Sequence, residues 1–165
     1  MELLAKVLTV SDGVVAGTRE DRSGAVLEEL LSNAGFRVVE RRVVEDGVES
    51  VSAAMISLTE NFQGLVVSTG GTGFGPRDFT PEGTKLVLER EAPGIAEAAR
   101  LVSPLGRLSR AVAGTRGTAI IINTPGSPGG ARETMSAVID VIPHALELLA
   151  GVSTSHESVK QDSSG

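Results

Sequence analysis

The sequence contains no cysteine, tryptophan or tyrosine, and only four of its 165 residues are phenylalanine. The absence of cysteine excludes disulfide bonds, thiolate metal sites and a cysteine nucleophile, and it favours a reducing compartment. The scarcity of aromatic side chains removes the surfaces on which single-stranded nucleic acids stack. A net charge of −6 and the lack of a long Lys/Arg run also argue against nucleic acid as a partner.

Long apolar runs are missing as well. No run approaches the roughly 20 residues that a membrane-spanning helix needs. Residues 1–6 lack the basic segment, apolar stretch and cleavage site of a secretion signal. We therefore expect a cytoplasmic protein with no membrane partner. Hydrophobic residues make up 41% of the chain, which is enough for a core without cross-links.

Short apolar runs alternate with amphipathic stretches along the chain. Strands are predicted at Val7–Val10, Arg37–Val44, Leu65–Ser68 and Ala119–Asn123. Helical spacing of apolar residues predicts helices over Ala25–Ala34 and Val48–Leu58. This alternation predicts an α/β fold, a three-layer sandwich in which a mostly parallel sheet has helices on both faces. The domain is expected to cover residues 1–150, followed by a flexible polar tail over 151–165.

Two further helices have recognisable starts. Thr80 precedes Pro81 and Glu82, which predicts Thr80 as an N-cap with proline in the first helical position. Ser127 before Pro128 predicts a second start of the same kind. The apolar face of that helix is expected to carry Met135, Val138, Ile139 and Ile142.

Three predicted strands end in loops of glycine and short polar residues. The loops contain Ser11-Asp12-Gly13, then Thr69-Gly70-Gly71-Thr72-Gly73, and then Pro125-Gly126-Ser127. In open parallel sheets, ligands bind beyond the carboxyl ends of the strands. We therefore expect the three loops to form one composite pocket.

The second of these loops predicts an anion site. Glycines allow backbone N–H groups to approach phosphate oxygens closely, and Thr69 and Thr72 add hydroxyl donors. The helix start at Thr80 adds free N–H groups, and Arg77 adds a positive charge. The carboxylate of Asp78 beside such a cradle suits Mg²⁺ bridging a phosphate and an acid.

Other interpretations of the same residues stay open at this point. The glycine loop is also compatible with a tight turn, Asp78 with a helix start, and Asp12 and Asp46 with ordinary turn residues. Phe74 and Phe79 are expected to pack against the sheet edge rather than contact a flat ligand. The spacing fits neither a P-loop nor a dinucleotide fingerprint, which would need glycine where Pro76 stands.

An ordered series of motifs from about Lys6 to Leu149 resembles the molybdopterin-binding family, which includes Mog-type adenylyltransferases, MoaB-like proteins and the N-terminal domain of gephyrin. The motifs are Ser11-Asp12, Gly17, Asp21, Ser23-Gly24, Asp46, Thr69-Gly70-Gly71-Thr72-Gly73, Arg77-Asp78-Phe79-Thr80-Pro81-Glu82, Glu91-Ala92-Pro93-Gly94, Leu108-Ser109-Arg110 and Asn123-Thr124-Pro125-Gly126-Ser127-Pro128. Two positions depart from the common pattern. Glu45 stands where the family often has proline, and Ser68 stands where many members have threonine.

The resemblance implies a cytoplasmic homotrimer that takes part in molybdenum-cofactor biosynthesis with other assembly proteins. It implies transfer of AMP from ATP to molybdopterin, with Mg²⁺ required and pyrophosphate released. It also implies Asp46 and Asp78 as the catalytic acids and as ligands of Mg²⁺. The alternatives are a non-catalytic molybdopterin carrier or scaffold of the MoaB-like type, and a phosphate-binding enzyme with another substrate, such as a nucleotide hydrolase.

Overall fold

A computed structural model describes residues 1–152, which form a six-stranded sheet between two layers of helices. The strands are β1 (Leu4–Val10), β2 (Arg37–Val44), β3 (Gly64–Thr69), β4 (Arg90–Glu91), β5 (Ala113–Arg116) and β6 (Ala119–Thr124). The α-helices are α1 (Asp12–Val15), α2 (Arg22–Asn33), α3 (Val48–Thr59), α4 (Thr80–Lys85), α5 (Pro93–Arg100), α6 (Pro128–Ser136) and α7 (Ile142–Leu149). Short 3₁₀ helices cover Pro104–Leu108 and Ile139–Val141.

The sheet has the strand order β2-β1-β3-β6-β5-β4. Strands β2, β1, β3 and β6 are parallel, whereas β5 runs antiparallel to β6 and β4 antiparallel to β5. The predicted mostly parallel sheet is therefore confirmed. The short pair β4 and β5 was not predicted, and it forms one edge of the sheet.

Alternate residues of the central strands pack against different helix layers. Val7, Val67 and Ile122 belong to the core that also includes residues of α2, α5, α6 and α7. Leu8 and Ile121 belong to the core on the other face, beneath α3. Burial of both faces explains why these strands are nearly continuous apolar runs. The predicted three-layer α/β sandwich is confirmed.

Some helix boundaries differ from the prediction. The amphipathic stretch from Met135 to Ile142 was predicted as one helix, but α6 ends at Ser136 and α7 begins at Ile142. Pro143 lies in the first turn of α7, where its missing N–H needs no helical partner. A continuous helix would place that proline ring against the carbonyl one turn earlier, so the chain breaks there.

The predicted polar tail, residues 151–165, lies outside the described residues except for its first two positions. None of the helices within residues 1–152 has the length and apolarity that crossing a bilayer requires.

Candidate functional site

A cavity of about 1150 Å³ lies beyond the carboxyl ends of β1, β3 and β6. Its lining includes Ser11 after β1, Gly70–Gly73 after β3 and Pro125–Ser127 after β6. The chain leaves β1 through α2 on one face of the sheet and reaches β3 through α3 on the other, so a crevice opens between β1 and β3. The cavity is slightly larger than the roughly 300–1,000 Å³ of common small-molecule sites.

The loop after β3 depends on glycine at two positions. Gly70 and Gly71 have φ angles of 100° and 68°, in the left-handed region. A Cβ on Gly70 would lie 2.2 Å from the Val10 carbonyl oxygen, and one on Gly71 would lie 2.3 Å from Thr80 Oγ1. The loop can therefore approach β1 and α4 this closely only without side chains at these positions.

The backbone amides of this loop are only partly occupied. The Gly70 N–H donates to the Thr124 carbonyl at 3.2 Å, which extends the pairing of β3 with β6. Gly70 is therefore not the free phosphate donor that the sequence predicts. Within residues 1–152, the N–H groups of Gly71, Thr72 and Gly73 donate to no acceptor. These three amides remain the candidate anion donors of the loop.

Three hydroxyls at the rim already have structural partners. Thr69 is buried and donates to the Pro125 carbonyl at 2.7 Å, so it links two loops and does not face a ligand as predicted. Ser11 accepts a hydrogen bond from the Val14 N–H and caps α1. Ser127 caps α6, as predicted, by accepting from the Gly130 N–H at 3.1 Å.

Thr80 is not the N-cap that the sequence predicts. It is the first residue of α4 and has no side-chain capping bond, while its N–H donates to the Gly71 carbonyl at 3.0 Å. Its hydroxyl is fully buried and has no hydrogen-bond partner within the described residues. A Cβ built on Gly71 lies 2.3 Å from this hydroxyl and 3.2 Å from Asp46 Oδ1. An unused polar atom therefore lies beside the glycine loop and the Asp46 carboxylate.

Asp46 follows β2 and is fixed by reciprocal hydrogen bonds with Asp12. The Asp12 N–H donates to Asp46 Oδ2 at 3.0 Å, and the Asp46 N–H donates to Asp12 Oδ1 at 3.1 Å. Burial raises the pKa of the Asp46 carboxyl, and the charges of Asp12 and Asp78 contribute to the same shift. Asp46 and Asp78 both line the cavity, so they do not lie on opposite sides of the molecule.

Asp78 is presented by a tight turn of the glycine loop. Its Oδ2 accepts from the Gly75 N–H at 2.9 Å, while its own N–H donates to the Gly75 carbonyl at 3.1 Å. A Cβ on Gly73 or Gly75 would lie 3.1 Å or 2.8 Å from Asp78 Oδ2. These glycines therefore leave space for the carboxylate at the edge of the cavity.

Arg77 points to the segments that follow β1 and β2. Its Nε donates to Asp12 Oδ2 at 2.6 Å, and Nη2 donates to the Asp46 carbonyl at 2.9 Å. The hydrogen bond from Arg77 lowers the pKa of the Asp12 carboxyl, and the same contact raises the pKa of Arg77. Arg77 was predicted to supply positive charge to an anion site. Its charge is instead paired with Asp12, because the loops after β1 and β3 meet here.

Several features of the site were missed or wrongly predicted. Phe74 is 71% exposed and Phe79 is 40% exposed, so they do not pack against the sheet edge as expected. Arg100 lines the cavity from α5, and Arg110 holds the glycine loop from behind. The only sequence signal for Arg110 was its place in the family motif Leu108-Ser109-Arg110. No rule of residue spacing predicts that this motif contacts the glycine loop.

The residues present suit a divalent cation that is shared with a phosphate. Within residues 1–152, no group of three or more acidic or histidine side chains could hold a metal ion alone. Mg²⁺, however, is commonly bound by one or two carboxylates together with substrate phosphates and waters. Asp46 and Asp78 at one cavity, with the unpartnered Thr80 hydroxyl beside Asp46, fit that donor set.

The fold and the cavity define a class: an open α/β protein with a glycine loop that has unused amides, and two acids, at the carboxyl ends of its strands. Residues 6–144 match the family model described as a probable molybdopterin binding domain. The chain therefore belongs to the molybdopterin-binding domain family, which confirms the resemblance seen in its motifs.

Individual relatives agree with this assignment. The chain is 39% identical over 152 residues to the molybdopterin adenylyltransferase of Helicobacter pylori J99, covering 88% of this chain and 86% of that one. It is 35% identical over 145 residues to molybdenum cofactor biosynthesis protein B of Bacillus cereus, covering 84% and 85%. The crystal structure of the molybdopterin biosynthesis enzyme MoaB from Thermus thermophilus superposes with a TM-score of 0.84 at 42% identity, covering 90% and 97%.

Proposed function

We propose that this protein transfers the adenylyl group of ATP to molybdopterin and releases pyrophosphate, a step in molybdenum-cofactor biosynthesis. One observation carries the proposal: Asp46, Asp78 and the free amides of Gly71–Gly73 border the same cavity. That arrangement suits a polyphosphate and its cation. The similarity to molybdopterin adenylyltransferase supplies the substrate class.

The reaction requires no covalent intermediate on the protein. The terminal phosphate oxygen of molybdopterin forms a bond to the α-phosphorus of ATP as the bond between that phosphorus and the bridging oxygen breaks. The electron pair of the broken bond leaves with pyrophosphate. Such transfers depend mainly on positioning and on stabilisation of charge.

The cavity residues have distinct roles in this proposal. The N–H groups of Gly71, Thr72 and Gly73 donate to phosphate oxygens, and the start of α6 at Ser127 lies near a second phosphate. Asp78 and Asp46 would hold Mg²⁺, which neutralises charge on the triphosphate when it is bound. Asp12 and Arg77 bind the main-chain N–H and carbonyl of Asp46, so their effect on the reaction is indirect.

We further propose that the protein works in the cytoplasm as a homotrimer beside other proteins of cofactor assembly. Support for self-association comes from a group of exposed apolar side chains that follows α5. Leu101, Leu105 and Leu108 are 84%, 73% and 52% exposed. The three leucines lie within eight residues of the chain, and contiguous exposed apolar surface is typical of protein interfaces. Light scattering tests the proposal, with an expected mass three times that of one chain.

Product analysis tests the function directly. The purified protein is incubated with molybdopterin, ATP and Mg²⁺, and adenylylated pterin and pyrophosphate are quantified. The proposal expects equal amounts of the two products, and none when any one component is omitted. Tight pterin binding without ATP turnover would instead indicate a carrier. Release of AMP or phosphate without pterin would indicate a nucleotide hydrolase, and either result would overturn the proposal.

A further inference from the structure

The motif Leu108-Ser109-Arg110 has no role in the function proposed so far, although Arg110 contacts the glycine loop at both ends. Its main-chain N–H donates to the Thr72 carbonyl at 2.8 Å. Its side chain donates through Nε to the Gly73 carbonyl at 2.8 Å and through Nη2 to the Asp78 carbonyl at 2.7 Å. The remaining nitrogen, Nη1, forms an ion pair with Glu82 in α4. One residue thus holds the loop that carries the free amides and an acid.

These contacts determine which way the loop amides point. In a planar trans peptide, the carbonyl and the following N–H point in opposite directions, and no cis peptide bond occurs within residues 1–152. Because the carbonyls of Thr72 and Gly73 face Arg110, the N–H groups of Gly73 and Phe74 face away from it. Thr72, Gly73 and Asp78 line the cavity, whereas Arg110 does not. The arginine therefore supports the loop from behind and is not placed to contact substrate.

The arginine is itself anchored to the sheet. Two residues further along, Val112 exchanges hydrogen bonds with Asn123 of β6, through its N–H at 3.2 Å and its carbonyl at 3.0 Å. Between them, the Ala111 carbonyl accepts from Arg100 Nη1 at 2.6 Å. A small displacement of the loop relative to the sheet must therefore stretch the Arg110 contacts.

The partner acid strengthens this arrangement. Partial burial works to raise the pKa of Glu82, but its hydrogen bond and ion pair with Arg110 outweigh that effect, so its pKa lies below the ordinary value. Glu82 therefore stays charged at neutral pH. A planar guanidinium offers several donors in fixed directions, whereas lysine offers a single ammonium group, so lysine cannot reach two carbonyls and a carboxylate in the same way.

We propose that Arg110 is a positioning residue of the adenylyl-transfer site, which holds residues 72–78 so that the loop amides and Asp78 face one cavity. This inference rests on the proposed function for its kinetic consequence. Its structural consequence, a loop that opens more often without Arg110, does not depend on the identity of the substrates.

The test compares Arg110→Lys and Arg110→Ala with Arg116→Ala. Arg116 is a matched control because it also donates to a main-chain carbonyl, that of Val87, but does not line the cavity. Both Arg110 variants are expected to lose about 10- to 100-fold in kcat through misplacement of the loop. KM for molybdopterin should change less than kcat, and the control should keep the parent kcat. Amide hydrogen exchange should accelerate at the hydrogen-bonded N–H groups of Gly75, Asp78 and Thr80 and stay unchanged in α3.

Chemical rescue separates positioning from general loss of structure. Added guanidinium ion should restore several-fold of the lost kcat in Arg110→Ala, and it should have no such effect on an Asp78→Ala variant. Parent-like kcat and exchange in Arg110→Lys would overturn the inference. If Arg110→Ala does not fold, two other single variants decide the question: Arg110→Lys, and Glu82→Gln, which weakens one contact of Arg110. For each of them, kcat and amide hydrogen exchange are measured as above.

Failure of the proposed function can be recognised separately. If the parent protein forms no adenylylated pterin, the function is wrong, and hydrogen exchange alone then decides whether Arg110 holds the loop. If the parent is active and the Arg110 variants are equally active, only the role of Arg110 is wrong.

Discussion

The loops that follow β3 and β6 both contain glycine and both border the cavity, yet only the β3 loop carries an acid of the candidate site, Asp78. After β6, three residues lead into α6, and the N–H of Gly130 in α6 is used by the Ser127 cap. After β3, ten residues separate the strand from α4, and the N–H groups of Gly71–Gly73 donate to no acceptor within residues 1–152. The β3 loop therefore combines consecutive unused amides with the carboxylate of Asp78, whereas the β6 loop is a short connection into a capped helix.

The largest expected effect is loss of the acid on the β3 loop. Asp78→Ala should retain the fold and pterin binding but lose about 100- to 1,000-fold in the rate of adenylyl transfer, as expected for a preorganised charge-stabilising group. The rate of pterin-AMP formation and a pterin-binding titration check this prediction. An equal loss of pterin affinity would indicate a binding role for this acid instead.

A pair of glycine substitutions compares the two loops directly. In Gly71→Ala, a Cβ at φ 68° would lie 2.3 Å from Thr80 Oγ1, so the loop must move, and we expect a loss of about 100-fold in rate. In Gly129→Ala, the new Cβ has no heavy atom within 4 Å, and the residue is helical. That variant should stay close to the parent in rate and melting temperature. Similar losses in both variants would contradict the assignment of the β3 loop.

The capping serine of the β6 loop should matter mainly for stability. Ser127→Ala removes the acceptor of the Gly130 N–H and should cost about 1 kcal/mol, as loss of an N-cap does. For a chain of this size, that corresponds to a fall in melting temperature of about 2–4 °C. Ser52→Ala, the same change inside α3, is the control. A larger loss of rate than in Gly71→Ala would show that the β6 loop is the more important phosphate site.

The smallest effect concerns the pH dependence of stability at Asp46. Because its folded-state pKa is raised, mainly by burial, its contribution to stability is present below the ordinary pKa of about 3.9 and is lost as the pH rises through the raised value. At neutral pH the charged carboxylate therefore disfavours the folded state. Asp46→Asn should raise the melting temperature at pH 7, and the difference should shrink towards pH 4.

Calorimetry between pH 4 and pH 8 checks this, with Glu97→Gln as a control because Glu97 is exposed in α5. A melting temperature for Asp46→Asn below that of the parent at pH 7 would mean that the bond from the Asp12 N–H outweighs the cost of burial. In that case the charged Asp46 carboxylate would stabilise the folded protein at pH 7, despite its burial and the nearby charges of Asp12 and Asp78.

The sequence predicts the central sheet well because burial on both faces demands continuous apolar runs, as in β3 and β6. The convergence of Asp46 and Asp78 on one cavity also agrees with prediction, since parallel strands end at a common edge. Asp46 had a local alternative as a turn residue and Asp78 as a helix-start residue, and only the ordered motifs favoured a shared role. The assignment of those acids to catalysis and to Mg²⁺ remains a prediction.

Contacts between distant segments could not be predicted from local patterns. Thr80 has the sequence context of an N-cap, but its N–H is used by the Gly71 carbonyl, nine residues away across the loop. Arg77 carries the positive charge that an anion site needs, but it is paired with Asp12, which lies 65 residues away in the sequence. Arg110 reaches the Asp78 carbonyl across 32 residues. Each contact depends on the path of the glycine loop in the folded protein. Helix, strand and turn propensities of single residues do not specify that path.

The central claim is that Asp46 and Asp78 act together at one centre, and a double-mutant cycle tests it most directly. The rate of adenylylated-pterin formation is measured for the parent, Asp46→Asn, Asp78→Asn and the double variant at saturating ATP and Mg²⁺. Residues that act as a unit are strongly non-additive, so the double variant should be little slower than the slower single variant. Losses that multiply in the double variant, or a parent-like rate in either single variant, would contradict the account.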